Sequence, residues 1–130
     1  MADYTLTVTT QLPPDQAEEK VRAALAEQGF GILTEIDVEA TLRTKLDVEV
    51  GPYRILGACS PPLAHRGITA DPDLGALLPC NVVVRGRPDG GTDIVAADPE
   101  AMLGVAGPEL GELAHDARER IEAALQAVVA

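Results

Sequence analysis

At 130 residues the chain favours one domain, spanning 1–130, and is long enough to bury roughly two-thirds of its unfolded surface without metal or disulfide staples. Hydrophobic residues make up 46%, which argues against disorder, and aromatics only 2%, so the core has to be aliphatic. Asp and Glu number 21 against 10 Lys and Arg, a formal charge of −11 with no basic stripe, which argues against nucleic acid and anionic membrane as partners.

Tyr4 to Thr9 alternates with period two and reads as a first strand. Pro13-Pro14 then opens a helix, because proline fits the first turn where its missing N–H is not needed. Ala17, Val21, Ala24, Leu25 and Gln28 follow at helical spacing, and Gly29 supplies the stop. Phe30 to Ile36 reads as a second strand. Asp37 is a good N-cap for a short helix with Val38, Leu42 and Leu46 on one face.

Gly51-Pro52 breaks the chain before a third strand, Tyr53 to Cys59. Ser60-Pro61-Pro62 is a cap-and-start signature for a short helix through Ile68, and Asp71-Pro72-Asp73 repeats it. Cys80 to Arg85, the turn cluster Gly86 to Gly91 and Thr92 to Ala97 form a hairpin. Asp98-Pro99 caps one more turn. Leu110, Leu113, Ala114, Ala117, Ile121, Ala124, Leu125 and Val128 then hold one face of a long last helix.

The hairpin and the last helix predict an α+β fold, with a largely antiparallel sheet of about five strands and helices packed on one face. No apolar run approaches a transmembrane helix and no signal peptide is visible, so the expected location is cytoplasmic. Cys59 and Cys80 are then expected as free thiols, ligands or core residues rather than a permanent disulfide.

Several blocks in order carry a resemblance. Gly29 to Asp37, Pro52 to Cys59 running into Pro61-Pro62-Leu63-Ala64-His65, Leu77 to Val84, and Asp98 to Met102 resemble domain-of-unknown-function family 302. The resemblance covers nearly the whole chain. It implies a curved antiparallel sheet of the TATA-binding-protein-like group, a long C-terminal helix and a homodimer. It implies no activity and no catalytic residue.

If the third and fourth strands are antiparallel neighbours, Cys59 and Cys80 lie side by side, and the 20 residues between them leave and re-enter one edge of the sheet. His65 sits within two turns of Cys59. Four readings are open for this neighbourhood. The cysteines are small core residues; or Cys59, just before a helix start, is a reactive thiol; or Cys59, His65 and Cys80, with Glu35 as a fourth ligand, hold a metal ion or metal-containing cofactor; or the cysteines form a labile disulfide. The Cys-x5-His-x14-Cys spacing matches no standard zinc motif. No phosphate loop or Gly-x-Ser-x-Gly elbow occurs.

The expected function is therefore a non-catalytic binding or interaction domain with a small ligand or metal near Cys59. A thiol-dependent enzyme or redox protein with Cys59 as nucleophile is the alternative. His115, beside the apolar stripe of the last helix, is expected on a solvated face, and Asp71 and Asp98 are expected as helix caps.

Overall fold

The computed structural model describes residues 3–130. In chain order the elements are β1 (Thr5–Thr10), α1 (Pro14–Glu27), β2 (Gly31–Asp37), α2 (Val38–Leu46), β3 (Tyr53–Cys59), α3 (Pro61–Ala70), a 3-10 segment (Pro72–Leu77), β4 (Cys80–Gly86), β5 (Thr92–Ala97), α4 (Pro99–Leu103) and α5 (Gly111–Val129). The strands form one five-stranded sheet in the order β1-β5-β4-β3-β2, with every neighbouring pair antiparallel.

Period-two alternation decides which face is covered. Leu56 and Ala58 on β3, Val82 and Val84 on β4, and Ile94 and Ala96 on β5 are all buried. Residues between them, such as Ile55, Val83 and Val95, are only half-buried on the opposite face. The buried face packs against α1 and α5, which also pack against each other. Alanines at 17, 24, 114, 117 and 124 are buried on these two helices and permit close approach, while Val21, Leu25, Ile121 and Leu125 fill the remaining space. Each fully buried Leu or Ile here contributes on the order of 1.5–3 kcal/mol.

Local signals work as expected at most boundaries. Gly29 takes φ 84°, the left-handed conformation that ends α1. Asp37, Asp71 and Asp98 each accept a backbone N–H as N-caps, from Ala40, Asp73 and Glu100 respectively. The long helix α5 runs 19 residues and buries the expected stripe from Leu113 to Val128.

One element departs from its pattern. The apolar face of α2 is formed but not buried: none of its residues reaches the core, and Leu46 is 66% exposed. The physical reason is position. The helix α2 follows the edge strand β2, and its main contact is β3 rather than α1 or α5. Among the described residues no helix is long and apolar enough to cross a membrane.

Candidate functional site

The β3–β4 pairing brings the two cysteines together. Ala58 pairs with Cys80, so the last residue of β3, Cys59, stands next to the first residue of β4. Both thiols are free. Both line a cavity of about 40 Å³ between the sheet end, α3 and α5, whose other walls include Phe30, Leu63, Leu74, Leu113 and Ala117. That is room for a few water-sized groups, since one water needs about 10–15 Å³ on this measure. The walls are almost wholly apolar.

Burial pushes the Cys80 thiol up to about 11, and the neighbouring Cys59 adds to the effect. Cys80 alone is therefore a neutral thiol at physiological pH and a poor nucleophile.

Ser60 is the unusual member. It is the N-cap residue of α3 and is 3% exposed, yet its Oγ has no hydrogen-bond partner among the described residues. An N-cap hydroxyl ordinarily accepts from the second or third helical N–H. Here the first two helical residues are Pro61 and Pro62, which removes the second-position donor. The Ser60 carbonyl is used, accepting from Ala64 N at 2.8 Å. Ser60 itself is one of the residues that line the cavity. A buried polar atom without a partner costs about 1–3 kcal/mol. An ordered water is a poor remedy, because it needs two to four polar partners and the walls offer little besides the two thiols.

Gly67 fixes the floor. A Cβ there would run into Leu74 Cδ2 and come within 3.0 Å of Leu113 Cδ2. The absence of a side chain lets α3 lie against both leucines.

The expected four-residue ligand set does not assemble. His65 is exposed on α3 and takes no part in the cavity wall. Glu35 lies four residues along β2 from Gly31, the register partner of Cys59, which is about 13 Å of strand. It is engaged elsewhere: Arg22 Nη2 approaches Glu35 Oε2 at 2.6 Å, and Arg54 lies 3.9 Å from its other oxygen. Among the described residues, no group of three or more His, Cys, Asp or Glu is placed to hold a metal ion. His65 and Glu35 therefore leave the candidate set, and Cys59 and Cys80 stay.

Sequence reasoning missed two features. One is Ser60 as a site residue; the Pro61-Pro62 pair behind it was the available signal, read only as a helix start. The other is the cluster at the opposite end of β3. There Glu18 of α1 accepts from Arg22 Nε at 2.9 Å and Arg54 Nη1 at 3.0 Å. The Glu18–Arg22 half of it was legible as an i,i+4 pair. His115 is exposed, as expected, and contacts Glu100 at 2.8 Å and Glu119 at 3.0 Å, both of which raise its pKa.

Comparison with known proteins bears on the family and the fold. The family described as domain of unknown function DUF302 matches residues 6–128. The fold is similar to that of a crystal structure of an uncharacterized conserved protein DUF302 from Bacillus stearothermophilus. The TM-score is 0.89 and the identity 30%, over 97% of this chain and 98% of that one. Among curated proteins no relative matches the chain. The chain belongs to the DUF302 family.

Proposed function

We propose that this member of the family is a non-catalytic binding domain whose site is the cavity at Cys59, Ser60 and Cys80, taking a small ligand or metal ion. The observation that carries the reading is the buried, unpartnered hydroxyl of Ser60, a residue that lines an otherwise apolar cavity. A bound group that satisfies that hydroxyl removes its desolvation penalty. The compartment we propose is the cytoplasm, where a reducing pool keeps both thiols free.

Native mass spectrometry of protein purified without chelator tests this. We expect a mass excess on the wild type that disappears in Cys59→Ala and Cys80→Ala while the fold is retained. Apo wild-type protein that takes up neither metal nor small molecule would contradict it.

The competing reading is a thiol-dependent reaction at Cys59. It is favoured by one observation, a half-exposed thiol immediately before the N-terminus of α3. Its test is the rate of iodoacetamide alkylation against pH: a Cys59 no faster than a model thiol excludes it.

We also propose that the chain acts as a homodimer through α2 and β2. A nine-residue helix is too short to be stable alone, and this one buries none of its residues. Leu33 and Ile36 of β2 and Leu46, Val48 and Val50 beyond them are exposed in the single chain. Sedimentation equilibrium should show a dimer that Ile36→Glu and Leu46→Glu convert to monomer; a wild-type monomer at all concentrations contradicts it.

A further inference from the structure

We propose that this cavity and a second one beside it together bind a small uncharged amphiphile, an aliphatic chain of about four to six carbons with a neutral polar head. This rests on the reading of the cavity as a binding site and names the class of its ligand.

The first support is what lines the two spaces. The second cavity, of about 160 Å³, adjoins the first and shares Leu78, Pro79, Cys80 and Leu103 with it. Among the described residues, no Asp, Glu, Lys, Arg or His lines either one. The inner space, of about 40 Å³, has almost no polar wall. One water needs about 10–15 Å³ on this measure, so the inner space takes about three methylene-sized groups. The outer space differs. Ala76 and Asn81 line it and are both exposed, so it opens to solvent. Asn81 also supplies the only amide or hydroxyl side chain among its lining residues. An amide both donates and accepts, and so suits a neutral head of either kind. A tail in the inner space and a head beside Asn81 match the two walls in order.

The second support is independent and concerns charge. Cys80 lines both spaces, and burial pushes its thiol up to about 11. The place that holds this thiol therefore disfavours charge. A carboxylate or ammonium head would lose hydration there and meet no opposite charge. The chain's formal charge of −11 repels a carboxylate further. An alcohol, aldehyde, ester or amide carries neither penalty.

The experiment titrates the full chain with straight-chain primary alcohols from propanol to octanol and reads methyl NMR shifts. Hexanol should move the Leu63, Leu74 and Leu113 methyls of the inner space and the Met102 methyl of the outer space together, with one saturable constant. Affinity should rise about fourfold per added methylene up to hexanol, then level off once the inner space is full. Hexanoate and hexylamine should bind more than about 10-fold more weakly than hexanol. Asn81 and Ala76 are exposed, so changing them leaves the core intact. Asn81→Leu should weaken hexanol by about 3- to 10-fold through loss of a hydrogen bond. Ala76→Trp should weaken every alcohol by narrowing the opening.

Hexanoate or hexylamine binding as tightly as hexanol overturns the proposal. So do alcohol shifts confined to Met102, or a hexanol affinity that neither variant moves. Xenon separates the two levels of failure. A chain that admits xenon at Leu63, Leu74 and Leu113 but takes no alcohol loses this ligand class and keeps the cavity as a binding site. One that admits neither loses both.

Discussion

At the Arg54 end of β3 a buried carboxylate is fully engaged, because Glu18 accepts from both Arg22 and Arg54. At the Cys59 end, six residues of chain later, the buried Ser60 hydroxyl has no partner among the described residues, and Ser60 lines a cavity. The same strand therefore ends in a closed polar network on one side and an incomplete polar group in an apolar hole on the other. The network is complete within the chain and asks for nothing more. The hole is not complete, and an unsatisfied group is where a ligand gains most from binding. The contrast teaches where to look for function in a chain without a standard catalytic motif.

Four perturbations break or sharpen that contrast. The largest is Leu74→Ala, which removes a fully buried wall of the cavity. It should destabilise by about 2–5 kcal/mol in urea unfolding, as for other buried leucines. A loss below about 1 kcal/mol would mean that the cavity collapses and is not maintained by its walls.

Next is Glu18→Ala at the closed end. It removes one of the two carboxylates beside Arg22 and Arg54; Glu35 stays next to both, and both are about a third exposed, so water relieves them further. The expected loss is therefore about 1–2 kcal/mol, below that of a fully buried pair, with no change in ligand binding.

Third is alkali. Cys80 is held as a neutral thiol up to about 11 in the folded chain, against 9.0 for the ordinary thiol. A raised pKa means that the folded state keeps its proton longer than the unfolded one. Its stabilising effect is complete below pH 9.0 and is lost as pH rises through about 11. Wild type minus Cys80→Ala should show a difference in stability of about 1–2 kcal/mol that fades over that window. A pH-independent difference would place Cys80 in a more polar setting.

The smallest effect carries the sharpest sign. Removing a working N-cap serine costs about 1 kcal/mol. Ser60→Ala should instead be neutral or stabilising by up to about 1 kcal/mol, because its hydroxyl makes no bond to lose. A clear destabilisation would show that the hydroxyl is satisfied in the free chain.

The elements were legible because their causes are local. Alternation in Cys80 to Ala97, the stripe from Leu113 to Val128 and the caps at Asp37, Asp71 and Asp98 all act within a few residues of chain. The adjacency of Cys59 and Cys80 followed from antiparallel pairing alone. What sequence could not place was the direction of side chains on connecting segments. Nothing in Pro61 to Ala70 fixed which way His65 faces, and it faces solvent. Glu35 was legible as a strand residue but not as a partner of Arg22 and Arg54, since that contact depends on how α1 lies across the sheet. The bare face of α2 was invisible for the same reason: periodicity reports an apolar stripe, not what covers it.

The most direct test of the account is a methyl NMR spectrum recorded under xenon pressure. The account predicts saturable shifts at Ala58, Leu63, Leu74 and Leu113, around the cavity, with Val21 and Val84 towards the Glu18 end unmoved. Silence at the first four methyls, or equal shifts at all six, would contradict it.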